Sequence, residues 1–185
     1  MSVLSGRLIS WQHLFNHEED KIYAILARKE AESMLTIAQE YGIHDRDYLI
    51  HFLFGKSCIF LKDFNCAEIE FKKAVEVFPH DNAEKGDLIA HLGEAIYRNG
   101  RKEEGERVIL EGVQQIQAHH NDYDSFRINV WISGAYLRLA KILINDNRIE
   151  QAKIYLHKGE VIVLNDTRLV IRKQQLEILK KKIDK

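Results

Sequence analysis

Nine histidines, two cysteines and many acids and bases are the side chains that chemistry would draw on. His13 and His17 are four residues apart, a spacing that on one continuous helix turns both imidazoles to one face, as a zinc site requires. The Asn16 and Glu19 pair reads as a capping signal that breaks the helix between them. No HExxH motif and no third ligand accompany them, so no metal site is expected. His119 and His120 fall at a predicted helix end beside Asn121 and Asp122, where a cation complements the helix dipole. His51 and His91 are expected at helix-packing surfaces. Cys58 and Cys66 lie in amphipathic segments without C-x-x-C spacing; they read as reduced core thiols, with a disulfide as the alternative.

The sequence contains no G-x-S-x-G elbow, no P-loop and no G-x-G-x-x-G turn. Acids stand beside bases, as in Arg101-Lys102-Glu103-Glu104, the pattern of solvated helix faces. Catalysis, cofactor and metal are therefore not expected. A formal charge of −1 provides no global attraction to nucleic acid or anionic lipid. No apolar run approaches the roughly 18 residues that span a bilayer, and no basic start precedes an apolar stretch, so the expected location is cytoplasmic.

The elements that must position these residues are helical throughout. Pro79 is the only proline, and apolar residues recur at helical spacing almost everywhere. Helices are predicted at about 3–14, 17–41, 45–61, 64–78, 82–98, 101–119, 123–144, 148–163 and 167–184. Capping pairs are read at Asn16 with Glu19, Asp81 with Glu84, Asn121 with Asp124, and Asn147 with Glu150. Gly42 and Gly100 mark left-handed helix ends. Short connections require sequential helices to run antiparallel and touch, within a single domain over residues 1–185.

Residues 48–81 make a 34-residue unit. With Tyr48 as its first position, Gly55, Ala67, Phe71, Ala74 and Pro79 occupy positions 8, 20, 24, 27 and 32, and the unit resembles a tetratricopeptide repeat. A second unit over 86–120 carries Gly93, Gly105, Ile109 and Gly112 in matching places. A third, over 124–164, carries Ala140, Ala152, Leu156 and Gly159. The repeats start near Tyr48, Gly86 and Ser133, spacings of 38 and 47 residues, so an irregular array is expected. The resemblance implies an all-α fold, a short α-solenoid of about three hairpins with flanking helices. Residues 1–44 would cap one end, residues 17–41 through Ile22, Ile25, Leu26, Met34, Leu35, Ile37 and Ala38. Residues 167–184 would cap the other through Leu169, Leu176, Leu179 and Ile183.

The same resemblance implies a concave groove lined by the first helix of each hairpin. Carried over position by position, it places Phe52, Lys56, Phe60, Glu94, Tyr97, Arg98, Arg138, Lys141 and Asn145 there. Aromatic anchors edged with cations suit a peptide or partner protein. The family's chaperone-tail clamp is not reproduced, because Phe52, Lys56, His91 and Gly134 stand at its positions and only Arg138 matches. A scaffold or adaptor binding a protein partner is the leading expectation. One alternative is a nucleic-acid- or phosphate-binding module using the basic C-terminal helix, with Arg168, Arg172, Lys173 and Lys180 to Lys182. The other is a self-associating structural protein.

Overall fold

The computed structural model describes residues 2–18, 20–44 and 46–183, without the side chains of residues 2–5, 13 and 16–18. Among the described residues there are nine α-helices and no strand. They group into two compact units, residues 1–79 and 80–185, divided along the sequence after the chain's single proline.

The first unit holds α1 (Ser2–Glu18), α2 (Lys21–Tyr41), α3 (Asp47–Phe60) and α4 (Phe64–Val77). The expected break at Asn16 does not occur: α1 runs on to Glu18, and Asp20 caps α2 by accepting from the Ile22 N–H. His13 and His17 therefore lie on one continuous helix, but their side chains are outside the described residues. The buried face of α2 also differs from the expected aliphatic stripe. Ala24, Ala27, Ala31, Met34 and Ala38 are buried, while Ile22 and Ile25 are exposed. A helix seated against both α1 and α3 is placed by close backbone approach, which favours alanine over larger side chains. On α1, the buried Gln12 amide donates to the Leu53 carbonyl at 2.7 Å and to Ser57 Oγ at 3.2 Å. Phe71 of α4 lies over Gly55 of α3, where an added Cβ would stand 2.7 Å from the ring.

Cys58 and Cys66 are joined by a disulfide, which corrects the reduced-thiol expectation. They face each other across the α3–α4 turn with Cα atoms 5.9 Å apart, inside the range a disulfide spans. That proximity comes from the hairpin, and pairwise motif spacing does not reveal it. The thiol argument for a reducing compartment falls with it; what stands is that no described helix is long and apolar enough to cross a membrane.

The second unit holds α5 (Ala83–Arg98), α6 (Lys102–Ala118), α7 (Ser125–Asn145), α8 (Ile149–Asn165) and α9 (Val170–Ile183). Helices α5 and α6 interlock along glycines: a Cβ on Gly112 would stand 2.5 Å from the Gly86 carbonyl oxygen, and one on Gly93 2.5 Å from the Ile109 nitrogen. Leu176 and Leu179 of α9 pack with Leu137 and Ala140 of α7 and with Leu156 and Val163 of α8. The caps shift from those read in the sequence. Asn82 and Asp124 cap α5 and α7 by accepting from Lys85 and Arg127, and Asn147 ends α7 instead of starting α8.

Four helix ends share one hydrogen-bond pattern: α2 closes at Gly42 (φ 64°) with the Ile43 N–H bonded to the Ala38 carbonyl, and three hairpin turns close in the same way. Lys62, Gly100 and Asn147 adopt left-handed φ of 60°, 98° and 60°. The next N–H in each, from Asp63, Arg101 and Arg148, bonds the carbonyl five residues back, at Cys58, Ile96 and Leu143. This is the Schellman closure of a helix C-terminus. The three turns are spaced by 38 and 47 residues, as the repeat starts are.

Candidate functional site

Asp87, His91, Glu94 and Arg98 recur along α5 at intervals of four, three and four, which puts them on one face. Arg138 of α7 reaches into this row. Its Nη1 lies 2.7 Å from His91 Nε2, its Nη2 3.4 Å from Asp87 Oδ1, and its Nε 3.7 Å from Glu94 Oε2. A guanidinium only donates, so His91 accepts through Nε2. Arg98 Nε donates to the other oxygen of Glu94 at 2.9 Å. All five side chains are at least four-fifths buried, and Arg138 Nε has no hydrogen-bond partner among the described residues.

A third guanidinium comes from the terminal helix. Arg172 of α9 lies over Gly134, where a Cβ would stand 2.6 Å from Nη2. Its Nε donates to the Val130 carbonyl at 3.3 Å and its Nη1 to Gln175 Oε1 at 2.8 Å. Burial, followed by the neighbouring charge of Arg138, pushes its pKa down to about 10, although Asp87 partly offsets this. Lys141 and Asn145 continue the α7 face and are exposed.

Tyr97, Glu94 and Phe60 are more enclosed than residues of an open groove would be. Tyr97 is not a groove anchor: it is 3 % exposed, packed against Gly105 of α6 within the core. Its hydroxyl donates to Asp146 Oδ2 at 2.8 Å and accepts from Arg148 Nη1 at 3.1 Å. Arg148 continues to Glu106 at 3.0 Å, and Lys102 meets Asp146 at 2.7 Å. This network ties the α5–α6 turn to the α7–α8 turn. Burial, and then the hydrogen bond to Asp146, raises the Tyr97 phenol above its ordinary range. Glu94, read as a groove residue, is nearly buried between Arg98 and Arg138. In the first unit Phe60 is half-buried and stacks on Phe15 of α1 at 4.5 Å, so α1 covers it. Phe52 packs 5.9 Å from Phe71, with Lys56 Nζ 5.6 Å from its ring. Asp87, His91 and Arg172 belong to the cluster but not to the groove residues that the resemblance implies. His91 is expected from the sequence at a packing surface and Arg172 in the basic C-terminal helix, and only the packing of α9 on α7 brings Arg172 to the row.

That basic tail is partly neutralised. Lys180 pairs with Glu160, and Arg168 with Asp166 at 2.7 Å. Arg168, followed by Asn129, holds the Asp166 carboxyl well below the usual carboxylate range. Lys173, Lys181 and Lys182 remain exposed. Among the described residues no group of three or more His, Cys, Asp or Glu is placed to hold a metal ion. His119 lies 3.2 Å from Asp122, and His51 lies 2.7 Å from the nearly buried Glu70.

Compared with known proteins, the chain matches no family model, and no curated protein is significantly similar to it.

Proposed function

We propose that this chain is a protein-interaction scaffold, a short α-solenoid of tetratricopeptide-like hairpins that binds a peptide or partner protein on the helices opening each hairpin. The observation that supports this reading is the spacing of the turns at Lys62, Gly100 and Asn147, 38 and 47 residues apart like the starts of the sequence units. A chain that folds one hairpin three times presents three comparable helices, and in arrays of such hairpins the opening helices carry the binding residues. In the second unit that surface is α5 and α7, with Asp87, His91 and Arg138 largely enclosed and Lys141 and Asn145 open to solvent.

Partner capture from a lysate of the expressing cells tests the reading. Lys141→Glu combined with Asn145→Glu alters two exposed side chains without touching the core. The double variant should lose partners that the wild-type chain retains while keeping its helical circular dichroism. Full retention of the same partners would reject α7 as the binding face.

A further inference from the structure

Helices α8 and α9 are apolar on two opposite faces and packed on one. Ala152 and Gly159 of α8 and Leu176 of α9 are buried toward α7, Gly159 beside Leu137 and Tyr136. Two residues further along a helix lies about 200° around its axis. Ile154, Val161 and Ile178 stand there, and Ile171 lies two turns before Ile178; these four side chains are between 46 % and 64 % exposed. A helix that is apolar all round is ordinarily buried, and the end of a helical array is soluble through a polar outer face. Lysines share this outer side. Lys181 and Lys182 follow Ile178 by three and four residues, and both are exposed. Residues 149–183 hold eight Lys and Arg against four Asp and Glu, whereas the rest of the chain holds 19 against 24. Three of the four acids are already paired within the stretch: Glu150 with Lys153, Glu160 with Lys180, and Asp166 with Arg168. The near-zero charge of the whole chain conceals a positive end.

We propose that the outer face of α8 and α9 docks on an anionic lipid surface, its aliphatic side chains entering the headgroup region and its lysines meeting the lipid phosphates and carboxylates. The helices lie on the surface, since neither is long and apolar enough to cross it. This inference goes beyond the scaffold reading and is independent of it. Charge and composition together select the partner. A second copy seated on the same face would bring two net-positive hairpins together. Single-stranded nucleic acid is held by aromatic side chains on which bases stack, but the exposed large apolar side chains of α8 and α9 are all aliphatic. The cores of protein interfaces are enriched in aromatics, methionine and arginine and depleted in lysine, the reverse of this face. Aliphatic side chains bordered by lysines are what an interfacial helix presents to a bilayer. Each lysine near an anionic leaflet strengthens binding about fivefold, so charge and insertion act together as the two signals that stable anchoring takes.

The test is flotation of the purified full-length chain with vesicles of phosphatidylcholine alone, and with vesicles of phosphatidylcholine and phosphatidylserine in equal parts. The chain should float with the mixed vesicles, less so as salt rises, and stay behind with the neutral ones. Ile171→Ser combined with Ile178→Ser should weaken this binding about 10- to 100-fold while helical circular dichroism is kept, because both side chains are exposed. Lys181→Glu combined with Lys182→Glu should weaken it at least about 25-fold. An environment-sensitive dye on Ile178→Cys should shift to the blue on the mixed vesicles, and the same dye on Glu111→Cys, exposed on α6, should not. Equal flotation with neutral vesicles, full binding by either double variant, or the same dye shift at both positions would overturn the proposal. A uridylate oligonucleotide that binds as tightly as the mixed vesicles, and equally well to the isoleucine variant, would make nucleic acid the partner and overturn it too. So would a dimer in sedimentation that the isoleucine variant dissociates and that the mixed vesicles leave intact.

Discussion

Replacing Gly105 by alanine should destabilise the second unit even though alanine is the better helix former. Inside a helix the exchange is worth up to about 1 kcal/mol in alanine's favour. Here the new Cβ would meet the Tyr97 backbone nitrogen and stand 2.6 Å from the Tyr97 Cα and Cβ. Backbone cannot rotate aside as a side chain can, so α5 and α6 must separate by roughly 1 Å to restore ordinary van der Waals distance. That movement opens the contacts at Gly93 and Gly112 and displaces the Tyr97 hydroxyl from Asp146 and Arg148. Overpacking of this kind costs about 3 kcal/mol at the upper end of its usual range, leaving a net loss of about 2 kcal/mol. Trp131 lies in the second unit and Trp11 in the first. Urea unfolding followed by Trp131 fluorescence in a Trp11→Phe background isolates the relevant transition. The midpoint should fall by about 1 M. Gly6, helical and with nothing within 4 Å of its Cβ position, is the control: followed through Trp11 in a Trp131→Phe background, Gly6→Ala should be neutral or stabilising. A Gly105→Ala chain as stable as the wild type would refute the interlocked packing.

The remaining predictions concern the first unit. Reducing the Cys58–Cys66 disulfide, or replacing both cysteines by alanine, should lower stability by at most about 2.5 kcal/mol, since so short a loop gains little from closure; identical melts with and without reductant would show that the bond contributes nothing. Burial alone would raise the Glu70 carboxyl, but hydrogen bonds from His51 and Lys73 outweigh it and hold the group below its ordinary range. Its folded pKa is thus below the unfolded value, so its contribution is present above about pH 4.3 and is lost as the pH falls further. Glu70→Gln should flatten the acid limb of stability measured between pH 3 and 6, and an unaltered limb would contradict this. Lys62 adopts a left-handed conformation that costs a side-chain-bearing residue about 1 kcal/mol, so Lys62→Gly should be neutral or stabilising in urea titrations.

Much of the fold was legible because helix periodicity and turn chemistry are local. The nine predicted segments match the nine helices to within a few residues, and Gly42 and Gly100 end helices in left-handed geometry as read. Capping was less legible, since Asn, Asp and Ser recur next to one another, and which of them caps depends on the path of the chain. Asn82 and Asp124 cap where Asp81 and Asn121 were expected. The α2 stripe was legible at Met34 and Ala38 but not at Ile22 and Ile25, because hydrophobicity ranks isoleucine above alanine, whereas a helix packed closely on two neighbours selects for small size. The site was the least legible part. Tyr97 holds a position that the tetratricopeptide resemblance would assign to a groove, yet its side chain is buried against Gly105. Arg172 reads as one cation among several until the packing of α9 against α7 puts it over Gly134.

The central claim is that the face of α7 is where a partner binds. A photo-crosslinking amino acid at Lys141, compared in living cells with one at the exposed His157 of α8, tests it most directly. The account predicts a discrete covalent adduct from position 141 and none from position 157. No adduct at 141, or the same adduct from both positions, would contradict it.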